Sequence, residues 1–388
     1  MVCLPVVAPR HAAGGTLVLG GGFAGAWVAR LLRERGATLV GRENFVLFTP
    51  LLPEAASGSL EPRHVVVPLR QMCPQAELVL GEIESLDETA RVVHVTTEVG
   101  PLELHYERLV IALGSVSRAL PVPGLAEHGM GFKDLADAIA LRNHVLRRLE
   151  AAMIAPNRQA AERELTFVFV GAGYAGVEAL AELELLVEDA LRYYKPLLDV
   201  RRRWVLVDAA PSILPEIPRG LGEYAARELR RRGVEIHVST TLESCDGEEA
   251  VLSNGERIPT HTLVWTAGVR ANPALAKLGL PLDKRGRVRV DSVLRVEGRE
   301  DVWALGDCAA VPNEKTGTTD PPTSQHALRQ ARRLARNLKG DERPYGYRML
   351  GQVATLGRHR GIADVMGVHL RGFPGWWVTR TYHLSQLP

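Results

Sequence analysis

The chain has 388 residues, 46% of them apolar and 24% charged, and its 47 basic and 45 acidic side chains leave a net charge of +2. That length supports two or three domains with substantial cores, while the near-balance of charge excludes a polyanion-binding surface, so nucleic acid is not an expected partner. Four cysteines, Cys3, Cys73, Cys245 and Cys308, lie too far apart to encode a zinc site or a local redox disulfide, so no metal is expected and a reducing compartment fits.

Residues 1–8 form a short, proline-broken stretch without a charged leader, and no run of 18 apolar residues occurs, so the protein reads as soluble or peripheral. Residues 16–19 then form a strand leading into Gly20, Gly22 and Gly25, spaced as G-x-G-x-x-G, and into a helix ending near Arg35. In such a unit the first glycine permits the tight turn, the second lets backbone approach a pyrophosphate, and the third lets helix pack on strand. The next strand, 37–40, should end in a ribose-holding acid; Gly41 stands there, and the nearest acid is Glu43. The apolar segment 44–54 contains Pro50 and Pro53, which argue against a regular helix or central strand and for a shaped wall. Alternating pieces at 78–80, 92–97 and 102–104 read as an antiparallel meander, and 108–113 as a buried strand ending in Gly114 and Ser115. Pro121, Pro123 and Gly124 mark a crossing between domains.

A helix over 134–152 precedes a second strand and glycine turn, residues 167–170 followed by Gly171, Gly173 and Gly176, with a long helix to about Leu191. Glu178 follows the third glycine, where a helix dipole favours a carboxylate. The strand 204–208 ends in Asp208, placed to grip a ribose, and the two alanines after it supply no arginine for a 2′-phosphate, which favours NADH over NADPH. A helix over 220–232, a strand over 235–238, a hairpin at Asn254-Gly255 and a strand over 262–266 follow, closing on Gly268. A short strand then ends in Gly306-Asp307, a basic helix runs from Pro321 and Pro322 to Lys339, and a short region beyond Pro344 carries strand-like pieces and Trp376-Trp377.

Two glycine turns, the 111–114 strand end and a late Gly-Asp, in this order, resemble the two-dinucleotide-binding flavoproteins of the pyridine nucleotide-disulfide oxidoreductase superfamily. Asn44-Phe45 with Pro50-Leu-Leu, Gly114-Ser115 with Pro123-Gly124, Leu141-Arg-Asn-His144, Gly176-Val-Glu178, Pro322-Thr-Ser-Gln325 and the run Leu350 to Arg358 are similar, within that superfamily, to the type II NADH dehydrogenases. The resemblance implies an α/β fold of two Rossmann-like dinucleotide-binding domains, the second inserted in the first, plus a short C-terminal region. The expected divisions are 14–125 with 281–342 for FAD, 126–280 for NAD(H), and 343–388 for a membrane or dimer contact. It places Gly20, Gly22, Gly25, Glu43, Pro50, Gly114, Gly306, Asp307, Gln325 and His326 beside FAD, and Gly171, Gly173, Gly176, Glu178, Asp208 and Gly268 beside NADH. Glu178 and Gln325 become the catalytic candidates: Glu178 orients the nicotinamide and relays protons towards a quinone, and Gln325 borders the quinone. For His326 a helix-surface position is favoured over a proton donor.

The implied activity is hydride transfer from NADH to FAD and then two electrons to a membrane quinone, without ion pumping, in a cytoplasmic protein peripheral on the inner face of the cytoplasmic membrane. A reductase with a ferredoxin-type acceptor and a turnover-deficient NADH/flavin sensor remain open, whereas a flavin disulfide reductase would need cysteines that residues 26–60 lack. Three departures from the family pattern stand out: Gly41 in place of an acid, Arg329 with Gln330 one place late, and an end before the family's amphipathic helices. Trp376, Trp377 and Tyr382, with Arg371 and Arg380, fit a membrane-interface patch, a small core or a homodimer contact.

Overall fold

The computed structural model describes residues 8–118 and 120–387; Cys3 and the leader reading of the first seven residues lie outside them, as does Pro388. The chain opens with strand β1 (Thr16–Leu19), helix α1 (Phe23–Leu31) and strand β2 (Thr38–Gly41), followed by the short helix α2 (Leu52–Ser57) and strands β3 (Glu77–Leu80) and β4 (Arg108–Ile111). A second unit then runs β5 (Gly129–Gly131), α3 (Leu135–Met153), β6 (Thr166–Val170), α4 (Tyr174–Ala190), β7 (Arg203–Val207), α5 (Arg219–Arg231), β8 (Val234–His237) and β9 (Thr262–Trp265). The chain returns through β10 (Val302–Ala304) and α6 (Ser324–Leu338), then closes with β11 (Gly351–Thr355), β12 (Gly361–Val365), β13 (Val368–Arg371) and α7 (Gly372–Ser385).

Two five-stranded parallel sheets result, ordered β10-β4-β1-β2-β3 and β5-β9-β6-β7-β8. In each the strand that ends in the glycine turn is central and buried on both faces, which explains why its sequence is continuously apolar and not alternating. Alternate residues of β6 serve separate cores: Phe167 and Phe169 pack with α3 and α4 residues on one face, Val168 and Val170 with Leu252 and Ile258 on the other. Phe167 stacks on Trp204 with ring centroids 4.3 Å apart. The second sheet, formed wholly between β4 and β10, is an insertion, and both crossings run together as an antiparallel ribbon of Ser115–Ser117 against Val269–Ala271.

Three local expectations are corrected. Residues 78–80 belong to β3 at the edge of the first parallel sheet, while the antiparallel meander comprises Glu82–Asp87, Val92–Thr97 and Gly100–His105. The two are separated at Gly81, where a Cβ would lie 2.5 Å from the Thr96 carbonyl oxygen, so the close passage of the chain there requires glycine. Pro53 does not prevent a helix: it occupies the first turn of α2, where its missing N–H has no intrahelical partner to lose. The final region contains a full helix, α7, besides its three-stranded antiparallel sheet. That sheet sits across α4: Thr355 N–H donates to Glu178 Oε1 at 2.8 Å, and Arg232 bonds the carbonyls of Leu356 and Ala181.

Candidate active site

The two glycine turns have the same internal geometry. Gly20 (φ +114°) and Gly171 (φ +113°) adopt left-handed backbone where an added Cβ would come within 2.2 Å of Ala112 O and 2.6 Å of Ala267 N. At Gly25 and Gly176 a Cβ would sit 1.9 and 1.8 Å from the carbonyl oxygens of Gly20 and Gly171, so each helix lies hard against its own turn. A Cβ added to Gly22 or Gly173 would meet nothing within 4 Å beyond its own turn and helix. These second glycines, the N-caps of α1 and α4, therefore present bare backbone to open space at a helix N-terminus, the cradle an anionic pyrophosphate needs.

Before the first turn lies a cavity of about 1010 Å³, lined by Gly20, Gly22, Glu43, Gly114, Gly306 and Asp307 among the expected residues. Gly25 lies behind the turn, and Pro50 is represented at the wall by its neighbour Thr49. At the strand end Gly41 is buried, and a Cβ there would make a tight 3.3 Å contact with Gly21 N, whereas Glu43 stands exposed at the cavity rim. Asp307 Oδ2 accepts a 2.6 Å hydrogen bond from Ser115 Oγ, which accepts in turn from Lys133 Nζ at 3.2 Å. The N-terminus of α6 also opens here, through Thr323 and Ser324, and Thr323 Oγ1 accepts from His326 N–H to cap it.

Gln325 and His326 do not line this cavity, although His326 borders a small pocket beside Gly306 and Asp307. Gln325 Nε2 donates to Gly351 O at 3.4 Å and its Oε1 accepts from the Tyr347 hydroxyl at 3.3 Å, so it faces the C-terminal sheet; Arg329 lies 5.3 Å over the same Tyr347 ring. His326, expected on the helix surface, is buried, with Nδ1 2.6 Å from Asp320 Oδ2 and 3.2 Å from the Tyr345 hydroxyl. Gln330 has a positioning role that spacing did not reveal: its Oε1 accepts from Gly306 N–H at 2.8 Å while its Nε2 donates to Asp320 at 2.9 Å, tying the Gly306-Asp307 loop to α6. Lys133 was also missed; its only signal was a lone lysine at the start of α3, among six in the chain.

On the second turn, Asp208 Oδ2 accepts from Ala172 N–H at 2.5 Å and Oδ1 from Ala210 N–H at 2.7 Å, so the carboxylate braces the turn and keeps further lone pairs free. Gly268 lies at the end of the crossing ribbon opposite Gly114: its carbonyl accepts from Arg118 N–H at 3.1 Å, and the Gly114 carbonyl accepts from Asn272 N–H at 3.2 Å. Glu178 is not in the first turn of its helix, which starts at Tyr174, so the dipole does not hold its charge. It is buried beneath Thr355, and burial pushes its carboxyl up to about 8, with the neighbouring Glu54 and Glu182 adding to the rise against the lowering effect of the Thr355 hydrogen bonds. Cys73, Cys245 and Cys308 are unpaired and buried, and burial pushes the thiols of Cys73 and Cys308 up to about 11, which leaves them poor nucleophiles.

Paired parallel sheets, each ending in the same glycine cradle and joined by a double crossing, define a two-site dinucleotide oxidoreductase fold. The pyridine nucleotide-disulphide oxidoreductase family matches residues 15–331. Type II NADH:quinone oxidoreductase NdhA of Mycobacterium tuberculosis is 30% identical over 401 residues, covering 96% of this chain and 83% of the relative. A type II NADH:quinone oxidoreductase of Staphylococcus epidermidis is 29% identical, covering 92% and 90%. The chain belongs to the pyridine nucleotide-disulphide oxidoreductase family and, within it, to the type II NADH:quinone oxidoreductases. Its fold is that of NDH2 from Plasmodium falciparum, solved in complex with NADH, with a TM-score of 0.89 at 18% identity over 96% of this chain and 94% of that one.

Proposed function

We propose that the protein oxidises NADH through bound FAD and delivers the electrons to a membrane quinone. The observation that supports this best is the pairing of two bare glycine cradles across one crossing ribbon, with a cavity of dinucleotide size at the first. Segments 14–125 and 281–342 form the FAD half and 126–280 the NADH half. FAD, when bound, accepts the hydride equivalent of NADH and releases two electrons to the acceptor. Gly22 and the α1 N-terminus would hold its pyrophosphate, Glu43 a ribose, and Asp307, braced by Ser115 and Lys133, the ribityl hydroxyls. The α6 N-terminus turns its positive end to the same cavity and favours negative charge there. Gly173 and Asp208 hold NADH, and the alanines at 209 and 210 offer a 2′-phosphate no cation. Glu178 holds a proton near neutral pH for the acceptor side, and Gln325 borders the quinone.

Among the described residues no helix is long and apolar enough to cross a membrane. Attachment falls instead to α7, where Phe373, Trp377 and Leu384 are each more than half exposed, beside Met366 and Val368 at the β12–β13 turn. The reading is tested by anaerobic mixing of the purified protein with NADH or NADPH, then with a short-chain quinone. NADH should bleach a bound flavin, NADPH should do so far more slowly, and quinone should restore the colour. A protein without flavin, or one that quinone fails to reoxidise, would contradict it.

A further inference from the structure

One turn beyond Glu178 on α4, Glu182 is also buried, at 5% exposure. Its Oε2 accepts from Ser57 Oγ at 3.0 Å and from Ser59 Oγ at 3.4 Å, and the two serine oxygens are 2.8 Å apart. Ser59 is exposed and Ser57 is buried at the end of α2. A hydroxyl donates and accepts at once, so the series Ser59, Ser57, Glu182 is an unbroken line of exchangeable protons from solvent to an interior carboxyl. Side chains four apart on a helix are neighbours, with Cβ atoms about 5–6 Å apart, which places Glu182 next to Glu178.

The charges around this line leave it short of cations. Glu54, from α2, accepts from Arg380 Nη1 through Oε1 at 3.1 Å, while its Oε2 is buried without a partner. Arg232 and Arg358 also act on Glu182 electrostatically, but Arg232 is bonded to Glu184 and Arg358 to Asp189. Arg142 runs close by Gly58, His383 lies beside Arg380, and Tyr174 faces Glu178. Among the described residues, Arg380 is the only cation in hydrogen-bond contact with any of Glu54, Glu178 and Glu182. Burial raises all three carboxyls, and their mutual repulsion adds to the rise on Glu54 and Glu178, which favours the protonated form within the group.

We propose that Ser59, Ser57 and Glu182 form a proton inlet that carries protons from solvent to Glu178. The inference rests on the quinone-reducing reading. Conversion of one quinone to quinol takes two electrons and two protons; NADH supplies a hydride, that is two electrons and one proton, and becomes NAD⁺, and solvent supplies the second proton. As Glu178 gives its proton to the acceptor side, Glu182 passes one to the Glu178 carboxylate. Ser57 then donates to Glu182 while accepting from Ser59, and Ser59 is refilled by water. No serine carries a charge, and each O–H bond broken is matched by one formed.

The test uses the flavin-loaded protein and its Ser59→Ala, Ser57→Ala and Glu182→Gln variants. The first readout is the infrared carbonyl band of protonated carboxyls followed after transfer to D₂O, with the Glu182 contribution identified by its loss in Glu182→Gln. Exchange of that band should be at least about tenfold slower in Ser59→Ala, and slower by less in Ser57→Ala, where Ser59 still reaches Glu182 at 3.4 Å; quinone-driven reoxidation should slow in the same order, far more than reduction by NADH, since a positioned proton carrier contributes about 10²–10⁴-fold. Ser59 is on the surface, so its substitution tests the idea even if Glu182→Gln folds poorly. Exchange as fast in both serine variants as in the parent overturns the inlet, whatever the turnover; failure of the parent to reduce quinone would overturn the functional reading and leave the exchange result standing.

Discussion

Each glycine turn contains two physically different constraints, and they separate folding from binding. At Gly25 and Gly176 the obstacle to a side chain is a backbone carbonyl under 2 Å away, which no rotamer change removes; at Gly22 and Gly173 the space is empty and the backbone φ is ordinary. Gly25→Ala and Gly176→Ala are therefore expected to destabilise the fold by about 3 kcal/mol or more, measured by denaturant unfolding. Gly22→Ala and Gly173→Ala should change stability by less than about 0.5 kcal/mol, yet fill the space a pyrophosphate needs. Gly22→Ala should then purify with less flavin, and Gly173→Ala should keep its flavin but need a higher NADH concentration for half-maximal bleaching. Equal flavin and equal NADH affinity in both would show that the cradles do not serve dinucleotides.

At the level of elements, the strands β1 and β6 and their glycine turns were legible because everything that makes them is local: an apolar run, a fixed glycine spacing and a helix start. What joins elements was not. Gln330 holds Gly306 across 24 positions, and Glu178 meets Thr355 across 177, contacts that leave no periodic trace. The buried state of His326 left no trace either, since it is closed in by Asp320 on the loop before the helix and by Tyr345 beyond its end. Aromatic content did flag the C-terminal region, but not which of its side chains pack and which stay exposed. Trp376 packs against His359 and Phe373, Arg380 is engaged by Glu54, and Phe373, Trp377 and Leu384 each remain more than half exposed. Trp377→Asp with Leu384→Asp should reduce co-sedimentation with lipid vesicles by about tenfold while leaving the thermal midpoint nearly unchanged, because both side chains are more than half exposed. Unaltered vesicle binding, or conversion of a dimer into a monomer, would assign the face to another role.

Across the whole molecule, burial of ionisable groups makes stability depend on pH in two opposed ways. Glu54 and Glu178, lifted mainly by burial from 4.5 to about 7 and about 8, bind protons more tightly folded than unfolded. Their contribution is complete below the unfolded value and is lost as pH rises through 7 to 8. His144 and His383, lowered mainly by burial from 6.5 to about 4, do the reverse: their neutral forms fit the fold above pH 6.5, and stability drops as pH falls towards 4. Between 4.5 and 6.5 the two effects oppose each other, and above 6.5 only the glutamates act. The denaturant midpoint should therefore fall as pH is raised from 6.5 to about 8.5, and the fall should shrink in Glu54→Gln and in Glu178→Gln. The glutamates, together with His383, lie on elements that meet the C-terminal region, Glu178 on Thr355 of β11 and Glu54 on Arg380 of α7. Alkaline loosening is thus expected to start where that region docks on α2 and α4, with hydrogen exchange rising in β11 before it rises in β1 or β6. Simultaneous loss of protection in all three strands would place the pH-sensitive step in global unfolding and not at this seam.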